Sequence, residues 1–207
     1  MSAARSRARG VSVAARRRAL LAAIALLAGC MSQETKRDAI NDINAAFKAQ
    51  YEAILAKSGT RAFAVNADVA FEAVNAALTR LRLVIEQRSR GLGFISAEAP
   101  APLPLDRSEW DRASAIDLPQ ARAILSRHVG PLAEFFNFEP EGLDTIITAT
   151  VIDLGGRSEV SFTMRMREVA PPKQNLPRRD YPPPAALQLG LDKIWVAVDR
   201  ELALRAR

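Results

Sequence analysis

The chemistry open to this chain is bounded by a single histidine, His128, and a single cysteine, Cys30. The common zinc sets need several Cys and His ligands, and this chain cannot assemble one from its own side chains. A Ser-His-Asp triad would have to use His128, and no Gly-x-Ser-x-Gly elbow accompanies it. His128 lies between Leu125 and Val129/Leu132, near the apolar side of a helical pattern, which reads as a helix-packing position. Two acids flanking a glycosidic bond suffice for a glycosidase. Asp153 and Glu159 bracket a hairpin turn and are expected to approach each other, although charges at hairpin ends ordinarily serve solvation. Glu139 and Glu141 flank Pro140 in a loop and read the same way. Gly91-Leu92-Gly93 lacks the third glycine of a dinucleotide fingerprint and precedes a strand instead of a helix. The sequence therefore predicts no enzyme, no metal and no cofactor.

Basic groups give a better candidate. Thr163, Arg165 and Arg167 fall on the polar side of an alternating strand, where a row of Arg is suited to an anionic partner, such as a peptide carboxylate or a sugar polymer. The plainer role of such a row is to solvate a strand face or guard an edge. Arg178, Arg179 and Tyr181, within a proline-rich stretch, form a second candidate contact.

Cys30 has a specific context. Leu27-Ala28-Gly29-Cys30 follows an apolar run over residues 19–27, and Arg5, Arg7, Arg9, Arg16, Arg17 and Arg18 lie upstream. The run is too short to span a bilayer, which takes about 20 apolar residues, but suits a signal peptide. This order resembles the lipobox signal of bacterial lipoproteins. The resemblance implies cleavage before Cys30, acylation of its sulfur and new amino group, and a firm membrane anchor, since multiple chains hold where one does not. Met31, in place of the Asp associated with inner-membrane retention in enteric bacteria, favours the outer membrane on its periplasmic side, with the inner membrane as the alternative.

The whole-chain charge of +6 arises in that leader. Six of the 29 Lys and Arg precede Cys30 with no acid among them, so the remaining 23 balance 23 Asp and Glu. Nucleic-acid binding needs a basic surplus, and none remains. A lone cysteine allows no internal disulfide, so stability must come from packing.

The elements follow from periodicity. Ile40, Ile43, Phe47, Tyr51 and Ile54 mark an amphipathic helix over 33–57, ended by Gly59. A strand is predicted over 61–65. Asn66 then caps a helix carrying Phe71, Val74, Leu78 and Leu81. Strands are predicted over 83–87 and 94–99 around the Gly91–Gly93 turn. Pro100, Pro102 and Pro104 interrupt regular structure. A short helix with Trp110 is expected over 106–114, and a second helix begins at Pro119, kinked or split at Gly130-Pro131. A strand over 145–153, a Gly155-Gly156 turn and a return strand with Val160, Phe162, Met164 and Met166 on one face complete the sheet. Residues 170–184 are irregular, and a helix over 185–202 closes the chain.

These elements predict an α+β fold: an antiparallel sheet of about five strands with helices packed on one face. The expected organisation is a cleaved leader (1–29), the lipidated Cys30 with the first helix (30–60), and an α+β domain (61–207) with a helical insert (106–138) and a Pro-rich loop (170–184). The strand order is similar to the helix-grip modules of envelope lipoproteins such as the outer-membrane barrel-assembly accessory lipoprotein, although the insert departs from it. The expected function is a non-enzymatic lipoprotein that faces the periplasm and binds or scaffolds an envelope protein or cell-wall component. The alternatives are a small-ligand or lipid carrier, with Phe162, Met164, Met166 and Trp195 around a pocket, and, last, a cell-wall hydrolase.

Overall fold

The computed structural model describes residues 32–169 and 181–205; Cys30, its leader, Arg178 and Arg179 lie outside them. In chain order the elements are α1 (Gln33–Ser58), β1 (Thr60–Phe63), α2 (Ala67–Arg80), β2 (Val84–Ser89), β3 (Phe94–Pro100), α3 (Arg107–Val129), a 3-10 helix (Gly130–Phe135), β4 (Leu143–Asp153), β5 (Ser158–Glu168) and α4 (Pro184–Arg205). The five strands form one antiparallel sheet in the order β1-β5-β4-β3-β2. This is the α+β architecture that the periodicity predicts.

Helix α1 starts where the Ser32 hydroxyl accepts the Thr35 N–H at 3.0 Å, satisfying one of the orphan amides of the first turn. It ends at Gly59, where a Cβ would meet the Leu55 carbonyl oxygen at 2.6 Å. The Gly59 carbonyl then accepts the Phe162 N–H at 2.8 Å. This bond sets β1 in register on β5, so the helix stop and the sheet edge are one device.

The interior has two connected parts. In the first, α2 and α4 lie on the sheet, with Phe71, Val74 and Leu78 of α2 and Leu191, Ile194, Trp195 and Val198 of α4 against Ile95, Ile147, Val160 and Phe162. In the second, Ile40, Ile43 and Phe47 of α1 pack with Trp110, Ile124 and Leu125 of α3 and with Phe136, Phe138, Leu143 and Met166. Tyr51 of α1 belongs to the first part. The first helix is thus built into the same body as the sheet, and a boundary at residue 60 has no counterpart in the packing.

The expected pair of helices over 106–114 and from Pro119 is a single helix, α3, with Pro119 inside it. An internal proline deprives the carbonyl four residues back of its amide. Here that carbonyl belongs to Ala115, which is exposed along with Pro119, so the proline sits on the solvent side of the helix. The start is fixed by a capping box between Asp106 and Glu109, and Trp110 Nε1 donates to the Phe138 carbonyl at 2.9 Å. The break falls at Gly130, φ +56°, as the Gly-Pro pair predicts.

Candidate binding face

Among the described residues the helices contact the sheet from one side, leaving its other face uncovered. Strand alternation decides what that face carries. On β5, Val160, Phe162, Met164 and Met166 point inward and are buried, whereas Thr163, Arg165 and Arg167 are exposed. Residues opposite one another in an antiparallel ladder share a face, so register reads off the outer rows. Thr163 lies opposite Thr148, Thr148 opposite Ser96, and Ser96 opposite Gln87. The next row runs Thr60, Ser161, Thr150, Phe94, Ser89. Apart from Phe94, both rows are uncharged and polar. The Thr60 and Ser161 hydroxyls bond to each other at 2.9 Å.

Charge gathers at the end of the face nearer the insert. Arg165 lies opposite Ile146 and Arg167 opposite Asp144. Arg167 Nη2 bonds the Glu98 carboxylate and stands 3.6 Å from Asp144 Oδ2. Both acids are more shielded than the arginine, with side-chain exposures of 22% and 17% against 45%. Burial raises the Glu98 pKa, a hydrogen bond shared with Asp144 adds to the rise, and Arg167 opposes it. Glu98 and Asp144 escaped the sequence reading, because their approach depends on the β3–β4 register. Alternation along both strands was the signal that they share the outer face.

The remaining candidates separate. Arg165 is turned toward the Tyr51 hydroxyl at the β5 edge, near the Met164 backbone. Burial raises the pKa of that hydroxyl, while Arg165 and the Met164 backbone lower it. Tyr181 packs edge-on against Tyr51, ring centroids 5.3 Å apart. The structure thus brings Arg165 and Tyr181 together through a residue that the pattern had assigned to a helix stripe.

Asp153 and Glu159 do not approach as expected. Asp153 is opposite Ser158, on the inner side, while Glu159 is opposite Ile152, on the outer side. The offset of one residue sends the two carboxylates to opposite faces. Asp153 Oδ1 accepts the Gly155 N–H at 3.0 Å and shapes the turn. Glu141 pairs with Arg107. His128 Nε2 lies 3.0 Å from Asp42 Oδ2, joining α3 to α1. Gly93 has φ +58°, and its carbonyl accepts the Val151 N–H at 2.7 Å, so the Gly91–Gly93 turn fastens β3 to β4.

The carrier residues are interior. Phe162 meets Trp195 edge-on at 4.7 Å, and a Cβ added to Gly190 would meet Met164 Sδ at 3.1 Å. Phe162, Met164, Met166 and Trp195 are all buried. Among the described residues no group of three or more His, Cys, Asp and Glu is placed to hold a metal ion, and no helix is long and apolar enough to cross a membrane. Compared with known proteins, the chain matches no family model and no curated protein.

Proposed function

We propose that this chain is a lipoprotein of the bacterial envelope, tethered through acylated Cys30 and binding another envelope component on its uncovered sheet face. The observation that carries the binding half is the asymmetry of the sheet: one face is buried under α2 and α4, and the other presents Thr163, Arg165, Arg167 and two polar rows. The tether is supported by the lipobox sequence around Cys30 and by the two-residue interval between Cys30 and the cap of α1 at Ser32. So short an interval holds the body within roughly 7 Å of the thioether. The outer membrane, on the periplasmic side, is the proposed location.

A binding role suits the side-chain chemistry better than catalysis. Asp153 and Glu159 diverge, and His128 is engaged with Asp42. Fractionation of cells tests the tether. Wild-type protein is expected in the membrane fraction with fatty-acid mass on Cys30, and Cys30→Ser in the soluble periplasm. A wild-type protein without acyl mass contradicts the tether.

A further inference from the structure

We infer that Asp117 is a proton-operated latch on the start of α4: with its carboxyl protonated the first turn of α4 is held closed on α3, and with it ionised that turn loosens. Helix α4 begins without a cap of its own. The Pro183 carbonyl accepts the Leu187 N–H at 3.0 Å, which places Pro183 at the cap, and its side chain has no oxygen to offer. Pro184 takes the first helical position and has no N–H. The next amide, Ala185, donates instead to Asp117 Oδ2 of α3 at 2.8 Å. The cap of one helix is thus supplied by another. About two turns further along α4, Lys193 Nζ meets Glu109 Oε2 at 2.6 Å, a second fastening between the same helices.

The carboxyl stands where its charge is costly. Asp117 is 7% exposed, and a buried carboxylate needs a counter-ion. Among the described residues, the charged side chains of the elements packed on α3 are engaged elsewhere. Lys193 holds Glu109 and Asp192 holds Gln188 on α4, Lys48 pairs with Glu52 on α1, and Glu134 of the 3-10 helix pairs with Arg122. Tyr51 of α1 is turned to Arg165. Burial raises the Asp117 pKa, and the Ala185 N–H, the one opposing influence, lowers it by less. Ser114, three residues earlier on the same side of α3, has a buried hydroxyl without a hydrogen bond among the described residues. A protonated Asp117 keeps one oxygen for Ala185 and gains an O–H, for which Ser114 Oγ is the unused acceptor. The folded-state pKa is raised, so the grip is complete below the unfolded value near 3.9 and weakens as pH rises through the folded value. Pro182, Pro183 and Pro184 join the latched turn to Tyr181 through fixed φ angles, and Tyr181 packs on Tyr51. Opening the latch therefore loosens Tyr181 at the sheet edge where Arg165 lies.

The test is amide hydrogen exchange of the full-length protein in detergent, read by mass spectrometry over residues 185–188 from pH 4 to pH 8. Variants are compared with wild type at each pH, so the intrinsic pH dependence of exchange cancels. Asp117→Asn cannot ionise, and its amide can serve both Ala185 and Ser114. At pH 8 its first turn is expected to exchange about fivefold more slowly than that of wild type, the weight of one net hydrogen bond, and at pH 4 the two should agree. Ser114→Ala removes the acceptor that the protonated carboxyl uses. It is expected to exchange faster than wild type at pH 4 and equally at pH 8. The turn at 194–198, beyond the Lys193 fastening, should not respond to either substitution. If Asp117→Asn does not fold, the ratio of Ser114→Ala to wild type across the same pH series carries the comparison. A plain structural role for Asp117 would change protection by one factor at every pH. Such a constant factor, an Asp117→Asn turn that exchanges as fast as wild type at pH 8, or a Ser114→Ala effect indifferent to pH each overturn the inference.

Discussion

Thr148 of β4 stands directly opposite Thr163 of β5, on the face that no described helix covers. One residue further along, Ile147 opposes Met164, and both are buried under the helices. Adjacent rung pairs of one ladder thus build the interior and the outer surface. Any test of function has to change the first kind of pair without disturbing the second.

The helical layer depends on Glu201. Its carboxylate accepts from Arg80 Nε at 2.7 Å and Arg205 Nη1 at 2.8 Å, joining α2 to α4. Glu201→Ala is expected to lower the unfolding free energy by about 2 kcal/mol, measured by urea titration. Hydrogen bonds, from Arg205 foremost, hold the carboxyl below the usual range against the effect of burial. The folded-state pKa is therefore depressed. Its stabilisation is present above the unfolded value near 4.3 and is lost as pH falls through the lower folded value. Glu201→Gln should lose that part of its acid sensitivity.

Glu98 carries the opposite sign. Its folded pKa is raised, chiefly by burial and then by Asp144. The stabilisation linked to its proton is complete below about pH 4.3 and disappears as pH rises through the raised folded value. Glu98→Gln cannot ionise. It is expected to unfold at a higher urea midpoint than wild type at pH 7 and at nearly the same midpoint below pH 4. An equal or lower midpoint at pH 7 contradicts the assignment.

Most of the fold was legible because its elements carry strong periods. The alternation of Val160, Phe162, Met164 and Met166 and the helical stripe of Ile40, Ile43, Phe47 and Tyr51 each predict a buried face, and each is buried. Pro119 misled because propensity alone cannot show that the proline falls on the exposed side of a continuous helix. The site was half legible. Thr163, Arg165 and Arg167 follow from one strand's alternation. Glu98 meeting Asp144, and Asp153 missing Glu159, are facts of register, which a single strand does not contain.

Gly93 tests the β3–β4 junction. Its φ is +58°, and a Cβ there would lie 1.9 Å from the Val151 carbonyl oxygen. Gly93→Ala should cost at least about 3 kcal/mol or prevent folding. Gly91→Ala, with nothing within 4 Å of the added carbon, should leave thermal unfolding within a few degrees of wild type.

Trp195 fastens α4 to the end of α1, donating from Nε1 to the Ser58 carbonyl at 2.7 Å. Arg61 lies over its ring at 4.7 Å. Trp195→Phe keeps a ring but leaves that carbonyl without its indole donor, so a loss of about 1–3 kcal/mol is expected in urea unfolding.

The central claim is that an acylated Cys30 holds an uncovered sheet face against another envelope component. The most direct measurement places a photoactivatable phenylalanine at Thr148 on that face and, separately, at Val196 of α4, which is 70% exposed, and irradiates intact cells. The account predicts an adduct from Thr148, none from Val196, and loss of the Thr148 adduct when Cys30→Ser releases the chain. An adduct from Val196 with none from Thr148, or a Thr148 adduct indifferent to Cys30, would contradict it.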